Sequence, residues 1–320
     1  MTDAASAGSA PPRVLVVGES LVDVVERDGA RNAHAGGSPL NVAYGLARLG
    51  VPTAFATEFA DDDHGRIIEA HLDSAGVEIL RHRSSERTSV ATARIGSDGA
   101  AEYTFSLQWE FDAADLAVDL PPAPVVHVGS VGAFLEPGSQ AVRRVLQELP
   151  ATSLVSFDPN VRPALIPDRA LARDLVAWYA GRADLVKLSD EDAAWLFPLT
   201  GEDDVLEWIL AQGASVVVLT RGSAGSLLRT RWAQVELPAV RTEVVDTIGA
   251  GDAYMAGLIA AVIDPAGGVD VLRAGADSAF LERLGRIAST TAALTVARAG
   301  AAPPTRAELE AALDLAALGG

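Results

Sequence analysis

The chain contains no cysteine, which excludes disulfides, thiolate metal sites and a cysteine nucleophile. Positive charge is scarce as well. Lys and Arg total 25 against 43 Asp and Glu, a net charge of −18. Such a surface repels phosphate backbones, so neither nucleic acid nor an anionic membrane is expected as a partner, whereas a small anion held in a local site remains compatible. Long apolar runs are also missing. Runs such as VVVL at 216–219 have strand length, and none approaches the roughly 20 residues of a membrane span. The opening MTDAASAGSAPPR lacks the basic start and apolar stretch of a signal peptide. Residues 1–12 read as a disordered lead-in, and a cytoplasmic location is the expectation.

What is present suits a globular α/β protein: 320 residues, 49% of them hydrophobic. VLVVG (14–18) reads as a first buried strand. SPLNVAYGLARLG (38–50) reads as a helix with Ser38 as N-cap, Pro39 at its first position and Gly50 after its last turn. A strand near 53–58, a helix near 63–75 closed by Gly76 and a strand near 78–82 follow. Then the rhythm breaks. TSVATARIGSDGAAEYTF (88–105) has two alternating runs around SDGA, a hairpin pattern, and LVDVVE (21–26) with NAHA (32–35) supplies more strands beside it. Alternation resumes with strands at 125–130, 154–158, 184–189 and 215–220, and helices near 138–149, 168–180 and 191–212. The last third reads as helices at 252–263, 278–297 and 305–317. The expected fold is a doubly wound, mainly parallel sheet with helices on both faces, interrupted by a small second sheet.

The chemistry points to VDTIGAGDAYMAG (245–257). Gly249, Ala250 and Gly251 permit close backbone approach just where a helix begins, and free N–H groups of a first helical turn attract anions. The run lacks the lysine of a phosphate-binding P-loop and the third glycine of a dinucleotide fingerprint. A carboxylate here, Asp252, would repel a phosphate if it only bound one. It makes sense as a base that takes a proton from an attacking hydroxyl. Taken alone, GAGD is more readily explained as a helix start with an acidic cap.

The whole run DTIGAGD resembles the C-terminal signature of the ribokinase-like (PfkB) carbohydrate kinases, and GGSPLNVAYGLARLG (36–50) resembles their N-terminal signature. FDPNVRPAL (157–165), VVVLTRGSAG (216–225) and VARAGAAPPT (296–305) fall between and after them in the family's order, so the resemblance covers nearly the whole chain. It implies one kinase domain over 13–318, with a small β-sheet lid inserted at about 21–35 and 88–106, often the seat of a homodimer. It implies ATP, Mg²⁺ and in many members K⁺. By residue, it implies that Asp252 is the base and Gly249, Ala250 and Gly251 the anion hole, and that Asp23, Gly37 and Asn41 bind sugar. FDPNVRP places Asp158, Asn160 and Arg162 at a strand end, with Arg162 directed to the substrate or the phosphoryl group. Thr220, Arg221, Gly222, Ser223, Ala224 and Gly225 match the nucleotide turn, with Ser289 beside the adenine. Asp246, Ile248, Thr295, Arg298 and Gly300 align with the K⁺ site, although Pro304 stands where a Ser is familiar. The family's Asn-x-x-Glu element, tied to Mg²⁺ and phosphate, is here SDED, with Ser189 and Asp192 at those positions. GGSPLNVA and FDPNVRPAL are closest to the fructokinase-like branch. Fructose is therefore the expected substrate, with 2-keto-3-deoxygluconate, ribose and other family substrates as alternatives. A catalytically silent sugar sensor is disfavoured, because the base and the small loop residues are all retained.

Overall fold

The computed structural model describes residues 14–27, 30–82, 86–95, 101–111, 123–263 and 268–318. The expected lead-in over 1–12 and the SDGA turn lie outside them. Strands β1 (Val14–Val17), β2 (Leu21–Arg27) and β3 (Ala30–Gly36) open the chain, followed by α1 (Ser38–Arg48), β4 (Thr53–Glu58), α2 (Asp63–Ala75) and β5 (Glu78–His82). The sequence returns to short strands in β6 (Val90–Ile95) and β7 (Ala101–Ser106). Strand and helix then alternate through β8 (Val125–Gly129), α3 (Gly138–Glu148), β9 (Leu154–Asp158), α4 (Arg169–Ala180), β10 (Leu185–Ser189), α5 (Asp190–Leu196), α6 (Glu202–Gln212) and β11 (Val216–Thr220). A hairpin, β12 (Ser226–Arg229) with β13 (Gln234–Leu237), precedes four helices: α7 (Ala250–Ile263), α8 (Gly268–Gly275), α9 (Ser278–Val296) and α10 (Arg306–Leu318).

The main sheet runs β13-β12-β11-β10-β9-β8-β1-β4-β5. From β11 to β5 every neighbouring pair is parallel, while β12 and β13 join antiparallel at one edge. Strands β1, β4, β8 and β9 are buried along their whole length because both faces of the sheet are covered. In β1, Leu15 and Val17 enter the core under α3–α6, while Val14 and Val16 enter the core under α1, α2, α7 and α9. The direction of winding reverses at β1, which has β4 on one side and β8 on the other. The loops after β1 and β8 therefore part from one another, and a crevice opens at their carboxyl ends.

The second sheet runs β3-β2-β6-β7. The expected intrusive strands thus form one small sheet. Its two hairpins, β2–β3 and β6–β7, are joined by a parallel β2–β6 seam.

Two local expectations are corrected. Ser38 does not cap α1: the cap position falls on Gly37, which has no side chain to offer, and the Ser38 hydroxyl turns elsewhere. The single helix expected over 191–212 is two, because Leu199, beside Pro198, takes a left-handed φ of 68° and turns the chain between α5 and α6. The hairpin β12–β13 and helix α8 were not foreseen.

Candidate active site

Asp252 stands in the first turn of α7 with its carboxylate facing α1. The Ser38 hydroxyl donates to Oδ1 at 2.6 Å and the Asn41 amide donates to Oδ2 at 2.8 Å. Both signatures of the sequence therefore meet in one pair of hydrogen bonds spanning 214 and 211 residues. Burial raises the Asp252 pKa; the two donors, Lys187 and Arg162 pull against it. A carboxylate offers about four lone-pair positions, so two donors fix its plane and leave it able to accept a proton.

Two cavities of about 660 Å³ each flank this point. The first is the more polar of the two and is lined by Asp23, Gly37, Asn41, Arg162, Lys187 and Asp252 among others. The second is mostly apolar, between the β11–β12 turn and α9, where Val240, Val244, Ala292 and Val296 form walls and Ser289 a polar spot. Thr220, Gly222, Thr247, Ala250 and Gly251 line both. A ligand in one cavity can thus reach a ligand in the other across the Gly249–Gly251 loop, beside Asp252.

The remaining expected residues are placed as follows. Asp23 lies on β2 over the polar cavity; burial raises its pKa, opposed by His34 and Arg162. Gly37 has φ 107°, and a Cβ there would lie 2.9 Å from the Glu19 carbonyl oxygen, so glycine is required for the chain to enter α1. Arg162 stands at the cavity rim, its guanidinium donating to the carbonyls of Asn160 and Val161. Asn160, beside it, has φ 37°. Thr220, Gly222 and Gly225 form the expected turn after β11. A Cβ on Gly222 would meet nothing within 4 Å, which leaves its backbone open to a ligand. Arg221 does not join the cavity surface. Its guanidinium pairs with Glu236 at 2.6 Å and Glu202 at 3.5 Å and fastens the β12–β13 hairpin to α6.

Ser189 and Asp192 close on each other. The Ser189 hydroxyl and amide both donate to Asp192 Oδ2, the Asp192 amide donates back to Ser189 Oγ, and Val161 N–H donates to Asp192 Oδ1 at 2.7 Å. The pair is a capping box for α5 that also clamps the 158–162 loop. The shorter acid is thus engaged inward on both oxygens.

The five residues aligned with a cation site share one corner. Asp246 accepts from Ile248 N–H at 3.0 Å and Gly300 N–H at 2.9 Å, Val245 N–H donates to Val296 C=O, and Arg298 N–H donates to Thr295 C=O. The segment leading to the loop is thereby stitched to the end of α9.

Sequence reasoning missed two groups besides Ser38. Glu19 follows β1 at the crevice, 5% exposed, and its Oε2 accepts from Gly132 N–H at 2.7 Å. Burial pushes its carboxyl up to about 7, against the bonds from Ser130 and Gly132. Lys187, 3% exposed, pairs with Asp158 at 2.7 Å. The available signal was a charged residue inside or directly after an apolar strand, since such residues are almost never buried unless partnered.

Known proteins share both fold and sequence with this one. A pfkB family carbohydrate kinase model matches residues 1–308. A fructokinase from Rhizobium leguminosarum bv. trifolii is 34% identical over 260 residues, covering 78% of this chain and 79% of its own. Fructokinase-1 of Zea mays is 33% identical over 319 residues, covering 93% and 97%. Among solved structures, a fructokinase with bound ATP from Xylella fastidiosa superposes with a TM-score of 0.82 at 26% identity, over 95% of this chain and 99% of that one. A fructokinase from Vibrio cholerae O395, in a fructose, ADP and calcium ion bound form, gives 0.78 at 25% identity over 94% and 98%. With the family match spanning nearly the whole length and both family signatures converging on Asp252, the chain belongs to the pfkB family of carbohydrate kinases.

Proposed function

We propose that this carbohydrate kinase transfers the γ-phosphoryl group of ATP to fructose, with Asp252 as general base. The observation that carries the reading is the position of the Asp252 carboxylate in the polar cavity, at a helix start and directly after Ala250 and Gly251, which line both cavities. The sugar occupies the polar cavity, with Asp23 accepting from its hydroxyls. The adenine occupies the apolar one, near Ser289. The sugar hydroxyl gives its proton to Asp252 as its oxygen bonds to phosphorus; the bond to the bridging oxygen breaks, and ADP leaves with that electron pair. The Ala250 amide donates to the Thr247 carbonyl at 3.3 Å, which leaves the amides of Gly249 and Gly251 to meet the charge that develops on the phosphoryl oxygens.

Fructose is favoured over an acidic sugar by the charge of the cavity. Glu19, Asp23, Asp158, Asp190, Glu191, Asp192 and Asp252 line it, against Arg162 and an already paired Lys187. Arg94, on the small sheet, pairs at 3.1 Å with Glu26 and is not in the lining. Comparing kcat/KM for fructose and for 2-keto-3-deoxygluconate tests this. Fructose is expected to be preferred by at least about tenfold, the worth of roughly 1.4 kcal/mol in the transition state. A reversed preference that disappears in Arg162→Ala would replace fructose with the acid and leave the kinase in place.

Among the described residues no cluster of three or more His, Asp or Glu fits a metal ion, and Asp192 is engaged on both oxygens. We therefore take Mg²⁺ to arrive on the nucleotide phosphates, where it would screen their charge. The stitched corner of Asp246, Ile248, Thr295, Arg298 and Gly300 is the place we assign to K⁺ if one binds, although the Thr295 and Gly300 carbonyls already accept backbone N–H bonds there. A cytoplasmic location follows from the need for ATP, and cell fractionation checks it. Among the described residues the small sheet ends at β3 and β7, and covering a sheet edge favours pairing with a second copy. A homodimer through the lid is thus expected, and a monomer mass by light scattering at micromolar protein would refute it.

A further inference from the structure

Lys187 interrupts an apolar strand at the centre of the main sheet, with β9 on one side and β11 on the other. Burying a cation there costs several kcal/mol unless it is paired, and a leucine would fill the place without that cost. Its partner Asp158 ends the neighbouring strand, Nζ to Oδ2 2.7 Å. Burial works against the charge on Lys187, but Asp158 outweighs it, with Asp192 and Asp252 adding to the effect, so the ammonium stays protonated. The pair is not closed on itself. Asp158 Oδ1 is buried with no hydrogen-bond partner among the described residues, and both side chains line the polar cavity. The Lys187 Nζ also lies 3.5 Å from where a Cβ on Gly251 would sit, the one atom found within 4 Å of that point outside its own turn of chain.

A charge count at the loop shows what such a cation does. The start of α7 supplies about half a positive charge, while Asp252 brings a full negative one to the same turn. Left at that, the loop would repel the phosphoryl group it has to receive. We propose that Lys187 is a further catalytic residue, whose ammonium, fixed by Asp158, contacts an oxygen of the phosphoryl group as it passes Gly251. This rests on the kinase reading above. The transfer itself is unchanged: the hydroxyl proton goes to Asp252, the oxygen–phosphorus bond to the sugar forms, the bond to ADP breaks, and Lys187 keeps its proton throughout. Arg162 cannot replace it, since its side chain is exposed at the rim and bonded to its own loop.

The test compares Lys187→Met, Asp158→Asn and the double variant carrying both. Each is measured for turnover of fructose with ATP and, by calorimetry with fructose present, for binding of ADP with and without aluminium fluoride, which mimics the phosphoryl group in transfer. In Lys187→Met, kcat is expected to fall about 10²–10³-fold, the range for loss of one preorganised charge donor. KM for fructose and the affinity for ADP alone should stay within about threefold, and the tightening by aluminium fluoride should vanish. A purely structural lysine would weaken ADP, fructose and thermal stability together. Lys187→Met also leaves Asp158 buried and unpaired. If it does not fold, the double variant, which removes both charges at similar volume, is expected to fold and still to lack turnover and tightening. Turnover within tenfold of wild type in either folded variant overturns the assignment, as does persistent tightening. Two further results overturn it: an equal loss in Asp158→Asn, which keeps the ammonium, and failure of both lysine variants to fold, which makes the pair structural. A wild-type protein that phosphorylates no sugar would instead sink the kinase reading itself.

Discussion

Asp252→Asn should lower kcat by about 10²–10⁴-fold, the usual worth of a general base, while the protein folds and binds ATP much as before. The asparagine has the same shape, and its amide oxygen can still accept from Ser38 or Asn41. What it loses is the ability to take a proton. Burial raises the pKa of Asp252, and a carboxyl held above its ordinary value is a stronger base than a free one. The two donors matter here too, since they hold the carboxylate plane without neutralising it. Steady-state kinetics on a variant whose melting curve matches wild type decides the matter. Retention of more than a third of the wild-type kcat would remove Asp252 from proton transfer.

Gly251→Val carries the second large effect. The backbone of Gly251 is not left-handed, and an added Cβ would meet only the end of the Lys187 side chain. The fold therefore does not require glycine there, in contrast to Gly37, where φ and a close carbonyl both do. The variant should melt within a few degrees of wild type and bind fructose in the absence of nucleotide. Turnover should nevertheless drop by about 10²-fold or more, because a branched side chain would stand where the phosphoryl group must approach the amides. Equal turnover would show that the phosphoryl group does not pass this loop.

The architecture was legible wherever one rule governed a whole segment. Buried parallel strands read as short apolar runs, and α1 showed itself through Pro39 and Gly50. The intrusion of β2, β3, β6 and β7 into the α/β rhythm was visible as alternation. Local rules failed where tertiary contacts chose among allowed structures. Ser38 is a good cap by type, yet a carboxylate 214 residues away takes its hydroxyl. The β12–β13 hairpin turns through Thr230–Ala233 without glycine or asparagine, so no turn signal marked it. At the site, the motifs marked the backbone of the loop and its acid. They did not mark Glu19 or Lys187, whose roles depend on what the neighbouring strands bring beside them.

The parallel seam between β2 and β6 also bears on the order in which the chain can assemble. Each lid hairpin is local, but the seam pairs Val22 with Val90, and parallel strands cannot be joined by a tight turn. The intervening chain holds β3, α1, β4, α2 and β5, so the seam closes a long loop whose entropy cost the packing of those elements helps to offset. Asp23 sits on that seam, opposite Ala91. The small sheet that holds Asp23 thus depends on a seam of high sequence separation, and a part of the fold joined this way is a natural place for local opening.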